Sequence, residues 1–499
     1  MNFLWLIKTE SYKKGMLLSV IFNIIAKGIL FLLTIFIARF FGSNIKTDIY
    51  FFVYGTMLLL SGFFSAIDTA VLIPQSMRLR ENESDDTAKA FLNYFLRLYI
   101  LIGIIFVTTF FFFGTKIFAL VSKFSKADIA LYKNYFLAGS LYFFFMVLTN
   151  YINAILTSLK FFTIPMIISG INSCIIIACI FFLHQQYDVL AVFIGGIAAY
   201  SINLIFLTGA MYKMAGWNFF TTGAGVTKKT GNNIFFAEMG QLATFASSFL
   251  PLFLLSGFDK GVISVLYYGK NIADIPNTLI TSQLSNVSGI QLNEQAARND
   301  TAAMNDSFMH TAKLLLYILV PAGFFLFVFA EPVVQLFYQS HNFSSEAIIE
   351  SAQFLRLLSV TVFSIGINTL VSRLFIATQA IKQAFLYQLL LNACLVIAIL
   401  IFTNYYGAYG YPYAVILMNL VNYVLMYFIC KKLFTAINYG AVLKYTAIIL
   451  LINTAIATGL YYAGLYLHAP VLIKLLAGFL IYLLILLLLN KKFNFITTR

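Results

Sequence analysis

Lys270 and Asp274 lie four residues apart in GVISVLYYGKNIADIPNTLITSQLSNVSGIQLNEQAAR, Gly261 to Arg298, a stretch apolar and long enough to cross a bilayer. A charged group at membrane depth costs at least ~2.5 kcal/mol, so such a segment must turn its polar face to protein or to a wet cavity. At i,i+4 spacing on a helix the ammonium and the carboxylate can pair. Pro276 lacks a backbone N–H and clashes with the preceding turn, which predicts a kink beside the two charges. Lys27, in NIIAKGILFLL, sits about 12 residues from either end of its apolar run, too deep for easy snorkelling. Lysines held in a cavity favour an anionic ligand, because the field of a buried cation is weakly screened. Asp68 and Glu238 are the other isolated charges in apolar runs; each can neutralise a lysine or take up a proton. Arg356 and Glu331 lie nearer the ends of their runs, where anchoring at the membrane interface is an equal reading, and Asp259 and Lys260 fit an outer turn.

The elements that must position these groups are transmembrane helices. Of 499 residues, 61% are hydrophobic and 10% charged, against about 25% charged in soluble chains. The fold class is therefore an all-α polytopic membrane protein. At about 20 apolar residues per crossing, the chain divides into fourteen spans, the first at 15–41 and the last at 468–490. With both termini inside, 21 Lys and Arg fall on the inner side, 8 on the outer and 3 within spans, which places the termini in the cytoplasm. The first twelve spans read as a parallel repeat. YGTMLLLSGFFSAIDTAVLIPQSMRLR from Tyr54 falls opposite YGKNIADIPNTLITSQLSNVSGIQLNE from Tyr268, and the segment from Gly114 opposite that from Ala330. This gives an N-lobe of six spans (1–213), a Gly/Thr/Lys-rich flexible cytoplasmic linker (214–232), a C-lobe of six spans (233–435), and two extra spans with a cytoplasmic tail (436–499). Transporters place their substrate at such repeat interfaces, near the midplane.

Several classes are excluded. The four histidines, His184, His310, His341 and His468, are scattered, and no Walker loop or large outer loop appears, so neither an enzyme nor an ATP-driven machine is indicated. Cys174, Cys179, Cys394 and Cys430 have no metal-ligand spacing and are expected to be buried thiols; no metal or other cofactor is implied. The net charge of +14 follows from the inside–outside asymmetry and from anionic inner-leaflet lipid, and calls for no nucleic acid.

Four segments carry a family resemblance: ARFFGSNIKTDIYFF (Ala38–Phe52), SVLYYGKNIADIP (Ser264–Pro276), LVPAGFFLFVFAEPVVQLFY (Leu319–Tyr338) and RLFIA from Arg373. In this order they resemble the lipid II flippase family, MurJ/MviN, of the multidrug/oligosaccharidyl-lipid/polysaccharide exporter superfamily. The resemblance implies two six-helix lobes around a cationic cavity, a lipid-tail groove at the last two helices, and alternating access that moves a lipid-pyrophosphate-linked saccharide outward. Where the family has Ser-Arg in helix 1 this chain has Ala26-Lys27, and Leu33-Thr34 replaces a further Arg-Asp. Ser61 replaces the helix 2 arginine, Ala66-Ile67 a Glu-Gly, and Lys270-Asn271 the Asp-Arg of span 8. The glycan is thus left open between lipid II and a related surface-glycan precursor.

The expected function is a flippase in the bacterial cytoplasmic membrane, with a lipid-linked oligosaccharide and membrane lipids as partners. Lys27 and Lys270 would hold the pyrophosphate, and Asn271, Ser61, Asp68 and Arg356 complete the substrate-binding candidates. Asp48, Glu238, Asp274 and Arg373 are candidates for gating or ion coupling, with the membrane potential or an ion as energy source. The rivals are a cation-coupled multidrug exporter using Glu238 or Asp68, a membrane glycosyltransferase or polymerase, and a scaffold in a cell-wall complex.

Overall fold

The computed structural model describes residues 12–161, 163–223, 226–466 and 470–493. Lys8, His468 and the end of the tail from 494 to Arg499 lie outside the described residues.

The described chain is helical almost throughout. α1 (Tyr12–Phe41) ends at Gly42, whose φ of +67° favours a residue without Cβ. Asn44 then starts α2 (Ile45–Ile67): its side chain accepts from the backbone N–H of Lys46 (2.9 Å), and Thr47 Oγ1 accepts from Asn44 N (2.9 Å). A single π turn, Asp68–Leu72, carries α2 into α3 (Ile73–Asn82). α4 (Asp85–Val121) starts at Ser84 and the short α5 (Lys126–Leu131) at Ser125, each serine accepting from a backbone N–H in the first turn. α6 (Lys133–Ser158), α7 (Thr163–Tyr187) and α8 (Leu190–Ala215) follow, and a left-handed Gly216 ends α8. In this first unit α1 packs on α7, α7 on α8, α8 on α6 and α6 on α4. α9 (Lys228–Leu255) starts with a Thr227/Thr230 capping box and packs on α2.

The chain forms two compact units, one ending at Ser264 and the other beginning at Val265. α10 (Val262–Pro276) is followed by a second π turn, Asn277–Thr281, and by α11 (Ser282–Ala297). Next come α12 (Thr301–Val328), α13 (Ala330–Tyr338), and α14 (Ser345–Ser359) with α15 (Val362–Ala377), a pair bent by 44°. α16 (Ile381–Tyr406) and α17 (Gly410–Leu433) pack closely across a short 3₁₀ turn, and α18 (Tyr439–Tyr466) and α19 (Val471–Phe493) complete the chain. The core of the second unit is apolar stripe on apolar stripe, Phe308, Leu315 and Leu319 of α12 against Ile367, Leu370 and Leu374 of α15.

Among the described residues eleven helices are long and apolar enough to cross a membrane, or twelve with the bent α14–α15 pair as one span. The 381–433 run counts once there, although its close-packed α16 and α17 match two expected spans. The polar run α10–α11 is not in that set: Lys270, Asn271, Asp274 and Asn277 lower its hydropathy. The all-helical membrane fold expected from the sequence is the fold observed.

Three local features add to the sequence reading. The linker is not simply a flexible connector at its start. Trp217 is buried, its indole N–H donating to Asn93 Oδ1 (2.9 Å), while Arg97 and Asn93 donate to carbonyls of Asn218, Phe219 and Thr221. Second, α9 lies in the same compact unit as α2, along which it packs. Third, of the cysteines only Cys430 is buried; Cys174 is exposed, and on a membrane helix a small apolar thiol is tolerated against lipid.

The Tyr-Gly pairs that head the two repeat segments serve close helix approach. A Cβ on Gly55 would stand 3.0 Å from the flexible Leu252 side chain, but one on Gly269 would stand 2.5 Å from Ser351 O and 2.9 Å from Leu355 N, both backbone atoms of α14. Gly209 has nothing within 4 Å. Gly269→Ala is therefore expected to cost about 1–3 kcal/mol by overpacking. The same change at Gly209 is neutral or mildly stabilising through helix propensity. Thermal unfolding of the detergent-purified variants checks the contrast.

Candidate functional site

α10 gathers the chemistry of the second unit. Lys270 Nζ and Asp274 Oδ2 meet at 2.5 Å, so the i,i+4 pair anticipated from spacing is formed. Their side chains keep 45% and 41% of their exposure, so the pair stands on an open face and is not locked in the core. Tyr411 of α17 lies close enough to feel both charges. The break expected at Pro276 takes the form of the π turn Asn277–Thr281, within which Thr281 Oγ1 donates to Asn277 Oδ1 (2.8 Å).

The other side of the same helix is apolar. Ile272, Pro276 and Ile280 repeat every four residues, two positions out of phase with Lys270 and Asp274, and so point away from them. With Tyr317, Pro321 and Phe325 of α12 and Phe479 of α19, they line a groove of about 630 Å³ with an almost wholly apolar wall. One helix therefore offers an exposed ion pair on one face and an apolar trough on the opposite one.

In the first unit Lys27 is exposed on α1, next to a buried Ala26. Asp48 is buried and accepts three hydrogen bonds: from Gly261 N (2.6 Å), Ser264 N (2.8 Å) and Ser264 Oγ (2.6 Å). The carboxylate thus caps the free amides that begin α10, where the helix dipole also favours a negative charge. Sequence reasoning proposed Asp48 but missed this partner; an Asp in the first turn of α2 and the turn Gly-Val-Ile-Ser, with Gly261 at φ +102°, were the available signals. Asp68 is buried at the head of its π turn and accepts from the Tyr99 hydroxyl at 2.8 Å. Ser61 donates to Leu58 O of its own helix (2.7 Å). Both of these last two side chains are buried. Glu238 on α9 is half-buried, with Oε1 lacking a hydrogen-bond partner among the described residues.

Two arginines are engaged within the second unit. Arg356 donates to Phe327 O (3.3 Å) and to Gln353 Oε1 (3.0 Å), bracing α14 against the end of α12. Arg373 donates to Asn286 Oδ1 (2.5 Å), bridging α15 and α11 beside Gly289. Asn271 follows Lys270 on α10 and is half-buried.

A bundle of membrane-length helices that turns one ionic and one apolar face of a single helix to possible cargo is the construction of a multi-pass membrane transporter, which moves a molecule without transforming it. The chain belongs to the lipid II flippase MurJ family, whose sequence model, described as "Lipid II flippase MurJ", matches residues 37–489. Relatives described as probable lipid II flippase MurJ come from Buchnera aphidicola subsp. Acyrthosiphon pisum, 25% identical over 79% of each chain, and from Borreliella burgdorferi, 22% identical over 79% of this chain and 78% of the other. Among solved structures, a lipid II flippase MurJ in an inward closed conformation matches with a TM-score of 0.79 at 20% identity, covering 95% of this chain and 99% of that one. An inward-facing multidrug resistance MATE family transporter matches at 0.62 and 14% identity, covering 88% and 95%. At these identities the structural likenesses speak for the fold.

Replacing Asp48 by Ala strips the only carboxylate from three donors at the start of α10, a loss of about 1–3 kcal/mol per unsatisfied group. Amide hydrogen exchange across residues 261–264 is expected to rise at least tenfold in Asp48→Ala and to stay at the wild-type rate in Asp68→Asn.

Proposed function

We propose that the chain is a flippase that moves a polyprenyl-pyrophosphate-linked saccharide, lipid II or a related surface-glycan precursor, from the inner to the outer leaflet by alternating access. The observation that carries this reading is the two-faced α10: a cation for the diphosphate and, on the opposite side, an apolar groove fit for a polyprenyl tail. The cargo's polar head cannot cross hydrocarbon unaided, since each unsatisfied polar group there costs several kcal/mol.

In this reading Lys270 binds the diphosphate, and Lys27, exposed on α1, is a further cation that favours an anionic cargo. Asp274 holds Lys270 in place when no cargo is bound, and Asn271 meets the adjoining part of the head group. Asp48 is a gate: its grip on Gly261 and Ser264 opens in one half of the cycle and reforms in the other. Arg373 and Arg356 brace helices, and Ser61 and Asp68 support α2. The membrane potential, worth about 2.3 kcal/mol per charge per 100 mV, is a sufficient source of bias for an anionic head group. The positive-inside balance supports a cytoplasmic-membrane location with both termini in the cytoplasm. Glu238, with its unpartnered Oε1, favours a second reading, cation-coupled export of a cationic compound.

The test is leaflet translocation of labelled undecaprenyl-pyrophosphate saccharides in proteoliposomes, with lipid II beside a non-peptide glycan. Lys270→Gln and Lys27→Gln are each expected to slow transport about tenfold or more, the worth of one charge-assisted hydrogen bond. Transport of neither lipid, or transport indifferent to both lysines but abolished by Glu238→Gln, sends the assignment to the exporter.

A further inference from the structure

α15, α16 and α17 enclose a second cavity in the second unit, of about 510 Å³, which the reading above does not use. Its size lies within the ~300–1,000 Å³ of small-molecule sites. The polar wall is amide and hydroxyl: Asn368 and Ser372 from α15, Tyr387 and Gln388 from α16, Asn419 and Asn422 from α17. No Asp, Glu, Lys, Arg or His is among its lining residues.

The state of these groups narrows the ligand. Asn368 Oδ1 is buried and has no hydrogen-bond partner among the described residues. Asn419 donates to Val415 O of its own helix (2.9 Å), which turns its side-chain oxygen outward as an acceptor. The Tyr387 hydroxyl donates to Asn422 Oδ1, so Asn422 presents its N–H groups. The Tyr387 ring stacks on Phe375 with centroids 5.8 Å apart and planes 16° apart, giving the cavity a flat aromatic wall. Donors and acceptors, together with apolar side chains such as Ile365, Ile376 and Leu391, thus line a space with no formal charge.

An anion finds no cation here. A hydrocarbon tail would leave the amides desolvated, at roughly 1–3 kcal/mol each. A polyol, in which every hydroxyl both donates and accepts and whose ring faces are apolar, meets both the amides and the aromatic wall. We propose that this cavity binds an uncharged saccharide, the glycan portion of the cargo, separately from the lysine that holds its diphosphate. The proposal rests on the flippase reading. The cavity lies toward the end of these helices marked by Lys382, Lys431 and Lys432, the end that charge balance assigns to the cytoplasm, where the cargo is taken up.

Two measurements on the full chain decide it. In the first, saturation-transfer NMR on the protein in nanodiscs follows N-acetylglucosamine and methyl glucoside, with inorganic phosphate as the charged comparison. Asn368→Leu and Gln388→Leu, and the milder truncation Asn419→Ala, are each expected to weaken sugar binding at least tenfold. Variants are scored only after size exclusion and thermal unfolding show wild-type folding. In the second, the rate of saccharide-linked undecaprenyl pyrophosphate transport is divided by that of the bare lipid pyrophosphate, and this ratio is expected to fall about tenfold in the same variants. Equal sugar binding in wild type and all variants, or an unchanged ratio, overturns the proposal. A wild type that moves neither lipid overturns the flippase reading instead, and the sugar-binding contrast then decides this site alone.

Discussion

Inside hydrocarbon every polar group must find its partner within the protein, and most of this structure follows from that constraint. Hydroxyls are returned to the carbonyls of their own helices, as Thr56 to Phe52 and Ser61 to Leu58. Amides pair with amides or phenols: Asn203 with Asn172, and the Tyr482 hydroxyl with Asn453. Buried carboxylates are met by donors from other helices, Asp68 by Tyr99 and Asp48 by the opening amides of α10. Against that background, the half-exposed ion pair Lys270–Asp274 is an exception that the packing does not require. The same holds for the amide-lined cavity of α15–α17.

Those exceptions have the polarity pattern of an amphiphile with three chemically different parts. In the proposed reading the Lys270 cation matches a diphosphate, the trough between α10, α12 and α19 a tail, and the neutral amide cavity sugar. The physical economy lies in α10. Because side chains two positions apart on a helix point in nearly opposite directions, one element serves both the ionic and the apolar part. The π turn after Pro276 adds a local departure from α-helical register beside the charges, and the second helix of the first half carries its own at Asp68.

Much of this was legible in the sequence, because hydropathy and length alone delimit membrane helices. The polar run 261–298 stood out for the same reason that it fails a hydropathy test in the structure: its polar residues are incompatible with lipid on all sides. The Lys270–Asp274 pair was legible because i,i+4 spacing is local. What escaped were contacts between residues far apart in sequence. Asp48 and Ser264 are separated by 216 positions and Trp217 and Asn93 by 124, and no periodicity encodes such pairings. Asp68 looked like a cavity residue because an isolated aspartate in an apolar run has no local partner; Tyr99, 31 residues on, supplies it. The linker looked flexible because its Gly and Thr content masks one anchoring tryptophan.

The central claim is that the exposed cation on α10 meets the head group of a lipid cargo and is reached from each side of the membrane in turn. Its most direct test is accessibility at that position. Asp274→Cys, one turn from a retained Lys270, in a background with Cys174, Cys179, Cys394 and Cys430 replaced by alanine, is labelled with a membrane-impermeant thiol reagent applied to either face of sealed vesicles. The account requires labelling from both faces, and protection on both by an undecaprenyl-pyrophosphate saccharide. Labelling from one face only, from neither, or without protection by that lipid contradicts it.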